Sequence, residues 1–145
     1  MIWFLRHGDA EDEAPDDAAR QLTTRGEQEA NAAAGALAAL EVRVDACLSS
    51  PKVRALDTAR VVGAALGVAV EQTEALRGGD FDPLELAASR GDVLLVGHEP
   101  DLSRAIQAAT GARMELKKGG LAAIENGSLI TLLRPTQLRA IASAR

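Results

Sequence analysis

The chain of 145 residues is long enough for one domain that buries a core without disulfides or a structural metal. Hydrophobic residues make up 47% of the chain but aromatic residues only 2%, so we expect a core of aliphatic side chains. A net charge of -5 argues against a nucleic-acid partner. The single cysteine, Cys47, excludes an intrachain disulfide and is typical of a reducing compartment.

Membrane, secreted and zinc proteins are not indicated. No stretch approaches the roughly 20 apolar residues of a membrane span, and the N-terminal residues lack the basic region and apolar run of a signal peptide. We therefore expect a cytoplasmic protein without membrane contact, with a monomer favoured. Beside Cys47 only His7 and His98 are soft ligands, too few for a closed zinc site, and we expect neither a metal nor a cofactor.

The first half of the chain alternates between strands and helices. The apolar run at residues 2–6 predicts a strand buried on both faces, and Thr24-x-x-Glu27 has the pattern of a capping box. Pro51 suits a first helical turn, and Gly67 suits the position after a helix. The elements predicted here are, in chain order, a strand at 2–6, an acidic loop at 9–21, a helix from Thr24 to about Leu40, a strand at 44–49, a helix from Pro51 to Leu66 and a brief strand at 68–70.

The second half repeats this alternation and then changes. Residues 92–97 are again typical of a buried strand, and Asn126-Gly127 between two apolar runs indicates a hairpin. The elements predicted here are a loop at 77–80, a helix at 83–90, a strand at 92–97, a helix from Pro100 to about Ala109, hairpin strands at 121–125 and 128–133, and a final strand at 138–142. We therefore predict one α/β domain over residues 1–145, a three-layer α/β/α sandwich around a mostly parallel sheet with an antiparallel C-terminal hairpin.

Both histidines directly follow predicted buried strands. Because the carboxyl ends of parallel strands meet at one edge of a sheet, where open α/β sheets bind ligands, we expect His7 and His98 to share a pocket. Arg6 lies beside His7, and Arg54 lies one turn into the helix after the second strand. Two guanidinium groups and two imidazoles suit phosphoryl transfer without a metal, because the cations neutralise the oxygens while a nitrogen attacks in line.

Four segments of the chain resemble the histidine phosphatase superfamily, which has the phosphoglycerate mutase-like fold. They are FLRHGDA at residues 4–10, RQLTTRG at 20–26, LSSPKVRALDTA at 48–59 and LLVGHEPDLS at 94–103. Within the superfamily they look most like the short SixA-type phosphohistidine phosphatases. The resemblance implies that His7 is phosphorylated, that Arg6 and Arg54 hold the phosphoryl oxygens, and that His98 hydrogen-bonds them.

The substrate-binding and proton-donor residues are predicted from the same resemblance. Arg20 and Gly8 are the predicted substrate-binding residues, and Arg20 either reaches the pocket or braces its loop. Many larger members carry a glutamate that protonates the leaving group. Here Glu74 is the nearest candidate, although the register we favour places Ala75 there. Asp9 is the other candidate, because a carboxyl group near the nucleophile can have a raised pKa.

The substrate is predicted from the resemblance and from leaving-group chemistry. An alkoxide leaving group needs a proton donor, whereas imidazole leaves near its own pKa, so a missing acid favours cleavage of a phosphorus–nitrogen bond. The expected partner is a phosphorylated protein, such as a histidine phosphotransfer domain. A small-molecule phosphomonoesterase of the same superfamily and a non-catalytic phosphate-binding module are the alternatives. The acidic run from Asp9 to Asp17 is either a solvated loop or a surface that selects a partner with a basic rim.

Overall fold

One six-stranded sheet organises the protein, for which the computed structural model describes residues 1–144. The strands are β1 (Ile2–Arg6), β2 (Ala46–Ser49), β3 (Val70–Gln72), β4 (Val93–Gly97), β5 (Leu121–Glu125) and β6 (Ser128–Leu133). Their spatial order is β3-β2-β4-β1-β5-β6. Strands β1, β2, β3 and β4 pair in parallel, while β5 pairs antiparallel to β1 and β6. The predicted mostly parallel sheet with an antiparallel C-terminal hairpin is therefore confirmed.

Helices cover both faces of this sheet. They are α1 (Thr24–Ala39), α2 (Val53–Leu66), α3 (Pro83–Ala87), α4 (Asp101–Thr110) and α5 (Pro135–Ser143). Buried residues of α1, α2 and α5 pack on one face, and those of α4 pack on the other. The predicted three-layer sandwich is confirmed, and none of the helices described over residues 1–144 is long and apolar enough to cross a bilayer.

The alternation of side chains along β1 explains why its sequence is apolar throughout. Trp3 and Leu5 enter the core beneath α1, α2 and α5, whereas Ile2 and Phe4 enter the core beneath α4. Successive residues of a strand point to opposite faces, so a central strand covered on both sides has no polar positions. Most other large buried side chains are aliphatic, as the composition predicted.

Helix α1 begins at Thr24, as predicted, but its predicted cap is wrong, and the predicted start of helix α2 is wrong by two residues. Helix α1 is capped by Thr23, whose Oγ1 accepts a hydrogen bond from the Gly26 amide at 3.1 Å, and not by a capping box of Thr24 and Glu27. Helix α2 begins at Val53, so Pro51 lies before its first turn. The other bounds agree with the predictions to within about four residues at each end.

The predicted final strand at 138–142 is wrong, because these residues belong to α5. The Gln137 side chain accepts a hydrogen bond from the Arg134 amide at 2.8 Å, and Pro135 provides a first helical residue without a free amide. Leu138 and Ile141 lie on the same helical face and pack into the core with α1. A short apolar run fits a strand or a helix, and packing on α1 decides for the helix.

Two glycines allow the backbone after β1 to touch the start of α1. A methyl group on Gly8 would overlap the carbonyl of Gly26, and a methyl group on Gly26 would overlap the carbonyl of Asp9. The Thr23 amide also donates to that Asp9 carbonyl at 3.0 Å. The segments FLRHGDA and RQLTTRG therefore need their glycines for the same reason, which is close contact between two backbones.

We predict that Gly26→Ala lowers the free energy of unfolding by about 2 kcal/mol, because the added methyl group forces the backbone of Asp9 away from α1. The matched control is Gly78→Ala, at a position with open space and no left-handed backbone, which should change stability by less than about 0.5 kcal/mol. Urea denaturation of both variants measures the difference. Equal effects would contradict the proposed contact.

Candidate active site

The carboxyl ends of β1, β2 and β4 bring the two histidines together. The His7 amide donates to the Gly97 carbonyl at 3.1 Å, and the Ser50 amide donates to the Val96 carbonyl at 3.0 Å. These bonds continue the parallel ladders beyond the strands and fix the position of each following residue. The rings of His7 and His98 lie with their centroids 5.1 Å apart and their planes tilted by 58°.

The surroundings of His7 keep its ring neutral and select one tautomer. The Nδ1 atom lies 2.6 Å from the Gly8 carbonyl oxygen, which only accepts hydrogen bonds. Nδ1 therefore carries the proton, and Nε2 keeps its lone pair. Burial, together with the nearby guanidinium groups of Arg54 and Arg6, lowers the pKa of His7 to about 4 against the opposing effect of the Gly8 bond.

His98 is equally buried and is held by a serine. Its Nε2 atom lies 2.8 Å from the Ser50 hydroxyl, whose oxygen also accepts the Lys52 amide at 3.2 Å. Burial lowers the pKa of His98 to about 3, and the neighbouring His7 and Arg54 act in the same direction. Two neutral imidazoles thus face each other among cationic side chains.

Backbone carbonyls of two different loops hold the guanidinium groups of Arg54 and Arg6. Arg54 is only 7% exposed, and its Nη1 donates to the Asp17 carbonyl at 2.8 Å. The Nη1 of Arg6 donates to the Leu116 carbonyl at 2.9 Å. In the part of the chain that the structure describes, only Arg6 Nε and His98 Nδ1 are buried side-chain polar atoms without a hydrogen-bond partner. Both belong to residues that the sequence assigned to phosphoryl binding.

Arg60, the arginine on the same helix most easily confused with Arg54, does not share this environment. Its side chain is 62% exposed, and its Nη1 lies 3.6 Å from Asp57 on the surface of α2. Arg54 lies in the first turn of α2, close to the sheet edge, whereas Arg60 lies almost two turns further away. The two arginines therefore differ both in burial and in hydrogen-bond partners.

Asp17 is a site residue that the sequence analysis missed. Its carboxylate lies 3.0 Å from Lys52 Nζ, 3.2 Å from Arg54 Nη2 and 3.3 Å from Arg20 Nη1. The hydrogen bond from Lys52, followed by that from Arg54, holds the pKa of this carboxyl far below its usual range. No local pattern distinguishes Asp17 from the other acidic residues of its loop.

The two predicted substrate-binding residues have partners within the protein. Arg20 Nε donates to the Glu11 carbonyl at 2.6 Å, so this side chain braces the acidic loop, while its charge contributes to lowering the pKa of His7. The Gly8 amide donates to Thr58 Oγ1 at 3.2 Å. Substrate contact by either residue stays a prediction.

Thr58 and Ser50 are further residues that sequence reasoning did not assign. Thr58 Oγ1 donates to the Arg54 carbonyl at 2.8 Å and accepts the Gly8 amide, so one hydroxyl links the segment after β1 to the arginine helix. Ser50 holds the ring of His98. Two sequence features could have identified these residues. Thr58 has a hydroxyl one helical turn after Arg54, and Ser50 has a hydroxyl directly after the end of β2.

The expectation of a raised pKa at Asp9 is wrong. Its carboxylate accepts hydrogen bonds from Lys118 Nζ at 2.9 Å and from Thr23 Oγ1 at 2.8 Å, and these bonds lower the pKa. The group is therefore ionised at neutral pH and has no proton to donate. Glu74 is 78% exposed and lies 3.8 Å from Arg77, and its role as a proton donor stays a prediction.

Comparison with known proteins places this arrangement in a family. The model of the "Histidine phosphatase superfamily (branch 1)" matches residues 2–90. An uncharacterized protein of Picosynechococcus sp. is 35% identical over 141 residues, which cover 88% of this chain and 86% of that protein.

Two solved structures share the fold over nearly the whole chain. The protein histidine phosphatase SixA complexed with tungstate is 24% identical, with a TM-score of 0.82 over 94% of this chain and 98% of the other. A protein named as SixA from Agrobacterium tumefaciens is 25% identical, with a TM-score of 0.78 over 92% of this chain and 97% of the other.

The chain therefore belongs to the histidine phosphatase superfamily, and the class of enzyme that this membership defines is a phosphatase. Within the superfamily it is of the SixA type. The resemblance identified from the four sequence segments is confirmed.

From the burial of the two imidazoles we predict how the stability of the protein changes with pH. Both rings stay neutral at pH 5, whereas histidines of the unfolded chain have a pKa of about 6.5. Between about pH 6.5 and 4 the unfolded chain binds more protons, so the free energy of unfolding decreases as the pH falls through this window. NMR titration of the histidine Cε1–H signals, together with urea denaturation at pH 7 and pH 5, measures both effects. A titration midpoint near 6.5 for either ring would contradict the prediction.

We predict that removal of the Asp17 charge increases the affinity of the site for anions. In Asp17→Asn the backbone carbonyl still holds Arg54, but the charge that neutralises Lys52 and Arg54 is removed. We expect the Kd of inorganic phosphate, measured by calorimetry, to fall roughly twofold to fivefold. Asp16→Asn is the matched control, since it removes the same charge from a neighbouring residue that only caps a turn at the Ala19 amide. An unchanged or higher Kd in Asp17→Asn alone would refute the prediction.

Proposed function

We propose that the chain is a metal-independent phosphatase that forms a covalent phosphohistidine on His7 and acts on phosphohistidine of a protein. The observation that carries this proposal is the 2.6 Å contact between His7 Nδ1 and the Gly8 carbonyl. This contact leaves Nε2 as a free lone pair, and the low pKa of the ring keeps that lone pair available at neutral pH.

Binding of the phosphoryl group is assigned to the side chains around His7. Arg6 and Arg54 are permanent cations close to the nucleophile, and both lower its pKa through their charge. The unpartnered Arg6 Nε and His98 Nδ1 are buried nitrogen atoms that phosphoryl oxygens can satisfy. The similarity to a SixA structure complexed with tungstate, a tetrahedral oxyanion, also supports this assignment.

The reaction takes place in two displacements. First, His7 Nε2 attacks phosphorus and the bond from phosphorus to the substrate nitrogen breaks. The substrate ring, protonated on its other nitrogen, leaves as a neutral imidazole that keeps this electron pair. Water then attacks the phosphoryl group on His7, the new phosphorus–nitrogen bond breaks, the Nε2 lone pair is restored, and the protons of the water leave with inorganic phosphate. Charge on the transferring group is balanced throughout by Arg6 and Arg54.

The state of the nearby carboxylates favours phosphohistidine over phosphoesters. Asp9 is ionised and engaged by Lys118, and Glu74 is directed to solvent beside Arg77. An alkoxide needs a proton as it leaves, while an imidazole with a pKa of roughly 6.5 leaves with little assistance. A phosphorylated protein such as a histidine phosphotransfer domain is therefore the proposed partner. We place the reaction in the cytoplasm and assign it to a single domain of residues 1–145.

The covalent step predicts a trapped intermediate. Rapid quenching of the wild-type protein with a labelled phosphohistidine protein should yield an acid-labile, alkali-stable phosphoenzyme. In His7→Ala this label should be absent and kcat reduced by at least about 10³-fold. His98→Gln is the control variant, because it retains the nucleophile and still forms labelled protein at a lower rate. Label on His7→Ala would exclude the mechanism.

The choice of leaving group is tested by comparing a phosphohistidine protein with an alkyl phosphate under the same conditions, with and without a chelator. We expect kcat/KM to be at least about 100-fold higher for the phosphohistidine, the range that a missing general acid accounts for. Equal values would support the small-molecule phosphomonoesterase instead. Inhibition by the chelator would contradict the metal-free reaction.

A further inference from the structure

A basic groove lies beside the proposed catalytic centre, and of its cationic residues only Arg6 has a role in the reaction described above. It has a volume of about 480 Å³ and lies between the first turns of α1, the turn at 117–120 and the start of α5. Its cationic lining consists of Arg6, Arg25, Lys117, Lys118, Arg134 and Arg139. We call this surface the basic groove.

The positive charge of the basic groove is only partly neutralised. Its two carboxylates are already engaged, Asp9 with Lys118 at 2.9 Å and Glu29 with Arg25 at 3.9 Å. The remaining four cations make no ion pair with any carboxylate of residues 1–144; they are Arg6, Lys117, Arg134 and Arg139. The basic groove is therefore locally positive, although the net charge of the whole chain is -5.

The basic groove is attached directly to the backbone of the nucleophile. The Gly119 amide donates to the His7 carbonyl at 3.0 Å, and the Arg6 amide donates to the Gly120 carbonyl at 3.0 Å. The turn that carries Lys117 and Lys118 is therefore fixed relative to His7. A substrate protein with its phosphoryl group at His7 places its neighbouring surface over this groove.

We infer that the basic groove docks an acidic segment that flanks the phosphorylated residue of the substrate protein. This inference takes its substrate class from the proposed function. Arg25, Lys117, Arg134 and Arg139 are exposed and come from three separate parts of the chain. Mobile cations spread along an open groove attract an extended anionic surface, whereas enclosure of one small anion needs buried groups that converge on a point.

The test uses two phosphohistidine peptides that differ only in flanking glutamates or glutamines, together with a double charge reversal, R134E/R139E. Glutamate at position 134 is compatible with the start of α5, and Arg139 is exposed on the same helix, so the variant is expected to fold. The matched control is R43E/R113E, which has the same change in net charge. Arg43 precedes β2, and Arg113 follows α4. Both are exposed, and neither makes an ion pair within residues 1–144.

For R134E/R139E we expect KM for the glutamate peptide to rise about tenfold, with kcat and the KM of the glutamine peptide within about twofold of wild type. The control variant should behave as wild type with both peptides. The wild-type preference for the glutamate peptide should shrink as ionic strength is raised. Equal KM values in the groove variant and the control would overturn the inference.

Failure of the inference and failure of the proposed function give different results. Binding of an unphosphorylated, fluorescent glutamate peptide to the full chain, measured by anisotropy, reports on the basic groove without any turnover, and it should weaken about tenfold in R134E/R139E. Hydrolysis of a small phosphoramidate reports on His7 alone. Unchanged peptide binding alongside normal phosphoramidate hydrolysis would overturn only the docking site. If pyrophosphate displaces the fluorescent peptide more strongly than the unlabelled glutamate peptide does, the docking site would also be overturned, and the basic groove would be a site for a small anion.

Discussion

Parallel pairing of β4 with both β1 and β2 is the constraint on which the site depends. It brings His7, His98 and Ser50 to one edge of the sheet, and the helices on both faces then bury the two rings. Because burial disfavours the charged imidazolium, both rings stay neutral beside guanidinium groups. A neutral imidazole surrounded by fixed cations combines a free lone pair with attraction for a phosphoryl dianion.

Collecting several cations at one place has an electrostatic cost, which Asp17 reduces. Its carboxylate contacts Lys52, Arg54 and Arg20 at the edge of the site, and its carbonyl holds the Arg54 guanidinium. The protein thus carries an internal anion beside the guanidinium group that we propose binds the substrate anion. The arrangement keeps Arg54 oriented before substrate arrives, so little side-chain freedom is lost on binding.

Charge is distributed unevenly around the two histidines. The acidic loop and its exposed carboxylates lie on the side of Asp17, while the basic groove lies on the side of Arg6. The acidic loop contacts Arg54 of α2 through Asp17, and the basic groove is joined to the His7 backbone through Gly119. Surfaces of opposite sign next to one site would orient the protein substrate that we propose.

The sequence by itself determined the sandwich, the strands that precede both histidines and the position of Arg54, because apolar runs, turn residues and motif order are local properties of the chain. Only the tertiary structure decided that residues 138–142 are helical, since packing on α1 selects between two conformations that the short apolar run allows. It also decided the ionised state of Asp9 and the role of Asp17. These carboxylates find their cations 109 and 37 residues away, and such distances are fixed by the sheet and not by any local pattern.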